Sequence, residues 1–173
     1  MSAKYSSSRH HHNINQASGK GRNAVHFSSK TCEWETPQEF FDEWNAEFGP
    51  FELDPCATSE NAKCPKYYTK ADDGLVQPWA PYKVWLNPPY GREIGLWMAK
   101  AYEESLRGAL VVCLVPARTD TKWWHSYVVH GRVCFIQGRL KFGDSKNAAP
   151  FPSAVVVFHP IGTSSIKPSQ MAA

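Results

Sequence analysis

Val84-Trp85-Leu86-Asn87-Pro88-Pro89-Tyr90 joins a short apolar run to a rigid polar turn. The apolar run predicts a buried strand, and the two prolines after it predict a turn whose backbone is nearly fixed. The backbone conformation of Asn87 is restricted as well, because this residue precedes a proline. The turn therefore offers two hydrogen-bond acceptors, the side-chain oxygen of Asn87 and the carbonyl of Pro88, and one aromatic ring, that of Tyr90.

Strands and helices alternate on both sides of this turn. The run from Ala109 to Val115 is apolar throughout, as in a strand buried on both faces. Further strands are predicted at 51–53, 132–136 and 154–158, and helices at 36–48, at 93–107 and after Thr119 or Asp120. This alternation predicts an α/β fold around a mostly parallel sheet, with ligands at the carboxyl ends of the strands.

The first helix has a well-marked predicted start. Thr36 is a suitable N-cap, Pro37 suits the first helical position, and Glu39 completes a capping box. Four aromatic residues give this helix an apolar face: Phe40, Phe41, Trp44 and Phe48.

The composition is ordinary for a globular protein. The 173 residues, 42% of them hydrophobic and 20% charged, predict one domain at 24–160, a disordered tail at 1–23 and a loose tail at 161–173. The net charge of +3 permits a nucleic-acid partner.

No apolar run reaches the roughly 20 residues of a membrane span, and no signal peptide is evident, so we predict a cytoplasmic protein. None of the five cysteines forms a C-x-x-C pair, and we predict no metal site.

The turn at 87–90 suits methyl transfer to a planar amine. The exocyclic amine of adenine attacks poorly, because its lone pair is shared with the ring. Asn87 and Pro88 could accept its two protons and expose the lone pair, while Pro89 stiffens the turn. Tyr90 could stack on a base that is flipped out of its duplex. The alternative is an ordinary proline-rich turn with a core tyrosine.

The reaction also requires a methyl donor, and we predict S-adenosylmethionine. The candidate segment is Leu53-Asp54-Pro55-Cys56-Ala57, where the carboxylate of Asp54 lies at a strand end and could accept hydrogen bonds from the donor. Cys56 and Ala57 are small and permit a close approach of the backbone. Asp73 could accept a hydrogen bond from the adenine amine of the donor. The alternative, a solvated carboxylate on a loop, explains Asp73 nearly as well.

Taken in order, these pieces resemble the phage-type DNA N6-adenine methyltransferases. The resemblance runs from Val25 to Phe158 and rests on Val25-His26-Phe27-Ser28-Ser29, Trp34-Glu35-Thr36-Pro37, Leu53 to Ala57, Asn87 to Tyr90, Leu114 to Thr119, Gly138 to Phe142 and Ala149 to Ala154. It implies a compact Rossmann-like methyltransferase fold that uses S-adenosylmethionine, with an antiparallel final strand. Only 32 residues separate Cys56 from Pro88, so the fold should be shortened between its first strand and its catalytic strand.

The resemblance also implies roles for particular residues. It implies that Trp34, Thr36 and Pro37 bind the donor, together with Asp54, Pro55, Cys56 and Ala57, and that Asn87 to Tyr90 hold the target adenine. For a phage or prophage gene it implies protection of DNA against host restriction, in the host cytoplasm. Ala57-Thr58-Ser59 replaces the usual glycine-rich turn. The contact to the donor ribose is therefore open among Asp54, Glu60, Asp72 and Asp73.

The predicted partner is adenine-containing DNA with the target base flipped out, with no membrane and no obligate protein partner. Candidate DNA contacts on loops at or after strand ends are Arg92, Arg118, Lys122, Arg139 and Lys141. Two alternatives remain open from the sequence. One is an amino-methyltransferase that acts on RNA or on protein glutamine, and the other is a catalytically inactive nucleic-acid-binding protein.

Overall fold

The computed structural model of the chain describes residues 34–143 and 145–161. The strands are β1 (Leu53–Asp54), β2 (Lys66–Tyr67), β3 (Lys83–Leu86), β4 (Leu110–Pro116), β5 (Arg132–Phe135) and β6 (Ser153–Phe158). The helices are α1 (Gln38–Phe48), α2 (Ile94–Leu106) and α3 (Lys122–Ser126), followed by a 3-10 helix at Val128–His130. The tail predicted at 1–23, and all of the tail at 161–173 except its first residue, lie outside the described residues. The single domain at 24–160 stays a prediction.

Within residues 34–143 and 145–161, six strands form one sheet in the order β2-β1-β3-β4-β6-β5. β1 to β4 run parallel to one another, and β6 runs antiparallel to both β4 and β5. The predicted α/β fold, with a mostly parallel sheet and an antiparallel final strand, is confirmed. Because β6 is reversed, β1, β2, β3, β4 and β5 all point their carboxyl ends to the same edge of the sheet, which we call the carboxyl edge.

The strand order reverses between β1 and β3. From β1 the chain moves outward to β2 and then returns to place β3 on the other side of β1. In open α/β sheets ligands bind at such a reversal, beyond the carboxyl ends of the strands. The connection from β1 to β3 is short, as predicted, and carries only the two-residue strand β2. The sequence did not predict β2, because both of its residues are exposed and show no apolar alternation.

The core is built on β3, β4 and β6, which are neighbours in the sheet. Every residue of β6 is buried, as are six of the seven in β4. Trp85 of β3 is fully buried and meets the ring of Phe41 on α1 edge-on, with 5.4 Å between the ring centroids. Phe51, just before β1, packs on the same indole at 5.6 Å. Apolar burial of this kind contributes roughly 25 cal/mol per Å² and fixes α1 against β3.

Two predicted helix starts are wrong. α1 begins at Gln38, and Pro37 occupies the N-cap position. No side chain of the described residues caps the helix, so the predicted capping box of Thr36 and Glu39 does not form. The Thr36 hydroxyl is instead bonded to Asn87. Helix α3 begins at Lys122, later than the predicted Thr119 or Asp120.

No helix in the described part of the chain combines the length and the apolar character that a membrane crossing requires.

Candidate functional site

The carboxyl edge gathers most of the predicted site residues. Asp54 ends β1, Asn87 follows β3, and the turn after β4 carries Arg118. Leu53 lies beside Val84 in the register of β1 and β3. Asp54 therefore lies level with Trp85, and strand spacing puts its Cα about 8 Å from that of Asn87. The two side chains flank the reversal of strand order.

The side-chain amide of Asn87 is held at its nitrogen end. Nδ2 donates one hydrogen bond to the carbonyl of Trp34 and a second, of 3.0 Å, to the hydroxyl of Thr36. A backbone carbonyl can only accept, so the nitrogen and not the oxygen of the amide must face Trp34. Oδ1 is buried and has no hydrogen-bond partner among the described residues. The arrangement leaves one oriented, unsatisfied acceptor at the end of β3.

Tyr90 is packed in the interior. The residue is only 7% exposed, and its hydroxyl donates to the carbonyl of Leu114 over 3.1 Å. Burial raises the pKa of this hydroxyl well above its ordinary value. Phe142 and Phe151 contact the ring, with centroid distances of 6.0 and 5.5 Å. The predicted stacking of Tyr90 on a base stays a prediction, and it requires these neighbours to uncover one face of the ring.

Trp34 completes an aromatic cluster around Tyr90. Its ring lies 5.4 Å from that of Phe142 and 5.0 Å from that of Phe151. The aromatic cluster, which comprises Trp34, Tyr90, Phe142 and Phe151, thus joins the segment before α1, the turn after β3 and the loop between β5 and β6. Sequence reasoning did not single out the two phenylalanines as site residues. Their only signal was their place in the matching segments 138–142 and 149–154.

Asp54 is a buried carboxylate at the end of β1. It accepts hydrogen bonds from the backbone nitrogens of Cys56 (3.3 Å) and Lys63 (3.2 Å). Burial raises the pKa of Asp54 to about 6, although these two hydrogen bonds and the charge of Lys63 act in the opposite direction. A carboxylate that is costly to bury and lies at a strand end is a candidate for ligand binding. The other candidates for the ribose contact, Glu60, Asp72 and Asp73, are exposed.

The loop that carries Asp73 is fastened to the end of β1. Asp73 has a φ of 51° and accepts a hydrogen bond from the nitrogen of Leu75 over 3.2 Å. Gly74 lies so close to the Pro55 carbonyl that an added Cβ would be 2.0 Å from its oxygen. The indole nitrogen of Trp79 donates to the carbonyl of Gly74 over 2.8 Å. These contacts bring the loop of Asp73 beside the segment 54–57.

The five predicted DNA contacts are all exposed and lie on the side of the carboxyl edge. Arg92 follows the turn at 87–90, Arg118 and Lys122 follow β4, and the loop after β5 holds Arg139 and Lys141. Arg139 also donates to the carbonyl of Ala149 over 3.2 Å and so helps to hold its loop. Their common side is consistent with a phosphate-binding surface around the end of β3.

Comparison with known proteins gives relatives that are named as methyltransferases. The model of a family described as DNA N-6-adenine-methyltransferase (Dam) matches residues 26–164. The DNA N-6-adenine-methyltransferase of Escherichia phage T1 is 35% identical over 92 residues, which are 53% of this chain and 38% of that protein. The Escherichia coli (strain K12) protein YfdM, which carries a provisional methyltransferase name, is 41% identical over 64 residues, 34% of this chain and 70% of YfdM. The chain thus matches well under two thirds of the phage protein.

Proposed function

Because the chain belongs to the DNA N-6-adenine-methyltransferase family, we propose that it methylates the exocyclic amine of adenine in DNA. A methyltransferase requires a methyl donor, and we propose S-adenosylmethionine, which supplies an electrophilic methyl group on a sulfonium. The proposed biological role is modification of phage or prophage DNA against host restriction.

The observation that carries the proposal is the unsatisfied oxygen of Asn87. A buried acceptor without a partner destabilises the fold by about 1–3 kcal/mol, so its persistence suits a site that a ligand completes. The amine of adenine has two N–H donors. Oδ1 of Asn87 takes one and the carbonyl of Pro88 takes the other, which concentrates electron density on the amine nitrogen as it attacks. With the donor bound, that nitrogen would take its methyl group, the electron pair of the broken bond would stay on sulfur, and one amine proton would pass to solvent.

The donor fits at the end of β1. A carboxylate offers about four lone-pair positions, and Asp54 uses two of them for backbone nitrogens. The remaining positions can accept from the hydroxyl or ammonium groups of the donor. Ala57 and the loop at Asp73 border the same strand end, and the carbonyl of Trp34 contacts Asn87. The donor would then lie at the reversal of strand order, beside the acceptor that holds the adenine.

The target base must leave its duplex to reach Asn87. Removal of a base from its stack costs a few kcal/mol, and aromatic contacts to the flipped base offset part of that cost. The aromatic cluster borders the turn and can supply such a contact once Phe142 or Phe151 moves. The exposed cations on the carboxyl edge would hold the phosphates on either side of the flipped nucleotide.

One experiment tests the proposal directly. The protein is incubated with labelled S-adenosylmethionine and unmodified duplex DNA, and the nucleosides are analysed by mass. We expect N6-methyladenine from the wild type and none from Asn87→Ala, with donor affinity by calorimetry nearly unchanged in the variant. Asn147→Ala, which alters an exposed asparagine of the β5–β6 loop, is the matched control and should stay active. Full activity of Asn87→Ala would refute the proposed role.

The same assay, repeated with RNA and with protein in place of DNA and combined with the calorimetry, separates the alternatives. An enzyme that acts on RNA or on protein glutamine would label those substrates in preference to DNA. A catalytically inactive nucleic-acid-binding protein would bind DNA but show no heat of donor binding.

A further inference from the structure

We infer that Thr36 is a positioning residue for Asn87. Its hydroxyl holds the side-chain amide of Asn87 so that Oδ1, and not Nδ2, faces the reacting amine. The inference rests on the proposed function. It assigns to Thr36 a role that differs from the helix cap and from the donor contact that the sequence predicted.

Thr36 has the burial and the bonding that this role requires. The residue is 4% exposed, and its hydroxyl oxygen lies 3.0 Å from Nδ2 of Asn87. It does not cap α1, since Pro37 occupies the N-cap position and the helix start has no side-chain cap within the described ranges. A threonine buried directly before a helix and not used as a cap has its polar atom available for another task, and here that atom binds an amide 51 residues away.

The Trp34 carbonyl and the Thr36 hydroxyl together use both hydrogens of the Asn87 amide nitrogen. One bond to the carbonyl sets which end of the amide faces the segment before α1. The second bond fixes the rotation of the amide plane, because Nδ2 must point one hydrogen at each acceptor. Because both hydrogens of Nδ2 are bonded, the amide plane is fixed and Oδ1 points in one direction. An acceptor that is oriented in advance needs no reorganisation during the reaction, and this is the efficient form of electrostatic stabilisation.

Thr36→Val tests the inference, because valine keeps the shape of the side chain and removes the acceptor. We expect kcat to fall roughly ten-fold or more, as for the loss of one buried hydrogen bond in an oriented group. The donor Kd should stay within about two-fold of the wild type, since positioning of Asn87 does not alter the donor site. Thr36→Ser keeps the hydroxyl and should retain most of the wild-type kcat.

A spectroscopic readout tests the same point without any reaction. The side-chain amide signals of Asn87, identified by their loss in Asn87→Ala, are recorded by nitrogen-15 NMR in the protein without donor or DNA. We expect both protons to be protected from exchange in the wild type and in Thr36→Ser. In Thr36→Val one of them should move upfield and exchange faster. Asn147, which is exposed, provides the unprotected reference.

The outcomes are distinguishable. A raised donor Kd with unchanged kcat in Thr36→Val would make Thr36 a donor ligand and overturn the inference. If Thr36→Val does not fold, the wild-type amide signals decide alone: exchange as fast as that of Asn147 also overturns it. If the wild type makes no N6-methyladenine, the proposed function fails, whereas protected amide signals would still establish that Thr36 and Trp34 hold Asn87.

Discussion

The carboxylate of Glu104 on α2 accepts a hydrogen bond from the backbone nitrogen of Trp79 over 2.9 Å. It also accepts one from the nitrogen of Ala80, and it pairs with Lys100 and Arg107. Burial alone would raise the pKa of Glu104, but these partners outweigh it and lower the pKa to about 2. Since the indole of Trp79 bonds the Gly74 carbonyl, Glu104 indirectly supports the loop beside β1.

Glu104→Gln should therefore destabilise the fold by about 2 kcal/mol, because the two backbone nitrogens and two cations lose a charged acceptor. A lowered pKa means that the stabilisation is fully present above pH 4.5 and is lost as the pH falls from there toward 2. Urea unfolding at pH 7 and pH 3 measures both effects. Glu103→Gln, an exposed neighbour on the same helix, is the control. Equal stability of the two variants at pH 7 would contradict this assignment.

Gly74 should tolerate no side chain. Gly74→Ala places Cβ 2.0 Å from the backbone oxygen of Pro55, so the loop at Asp73 must move away from the end of β1. We expect a loss of about 1–3 kcal/mol in unfolding free energy and, if Asp73 borders the donor site, a higher donor Kd by calorimetry. Gly95→Ala on α2 is the matched control. Its Cβ would be 3.4 Å from the nearest atom, of Trp123, and a helical alanine should leave stability unchanged or raise it by up to about 1 kcal/mol.

The sequence predicted those parts of the fold that local patterns determine. The apolar run of β4 predicted a buried strand, and six of its seven residues are buried. α2 ends before Gly108, whose φ is +110°. The turn at 87–90 was predicted because prolines impose its geometry locally. β2 was missed, since two exposed residues paired with β1 leave no periodic signal.

The contacts that shape the candidate site are long-range and were not predictable from one sequence. Thr36 before a helix has the pattern of an N-cap, and nothing nearby in the sequence reveals that Asn87 competes for its hydroxyl. Phe142 and Phe151 meet Tyr90 only because the antiparallel β6 returns the loop at 137–152 to the carboxyl edge. Tertiary packing outweighed local preference at both places.

Asp54 should make stability fall as the pH rises. Its pKa is raised from 3.8 to about 6 in the folded protein, so the folded state binds the proton more tightly than the unfolded chain does. The associated stabilisation is present below about pH 4 and is lost as the pH rises through 6, a change of up to about 3 kcal/mol. Unfolding free energies of the wild type and Asp54→Asn should therefore diverge between pH 4 and 7, with the wild type losing stability. Asp120→Asn, an exposed aspartate, should track the wild type. A difference between the wild type and Asp54→Asn that does not vary with pH would contradict the raised pKa.

The cations of the carboxyl edge should set the salt dependence of DNA binding. Each phosphate contact contributes about 0.9 to the slope of log K against log salt concentration. The triple variant Arg118→Gln, Arg139→Gln, Lys141→Gln should thus lower that slope by up to about 3 and raise the Kd for DNA, with no change in donor affinity. Arg132→Gln is the control, because Arg132 begins β5 at the opposite edge, where it pairs with Glu47 at 3.6 Å. Fluorescence anisotropy with labelled duplex at several salt concentrations gives the slopes. A wild-type slope in the triple variant, or an equal loss in Arg132→Gln, would place the DNA on another surface.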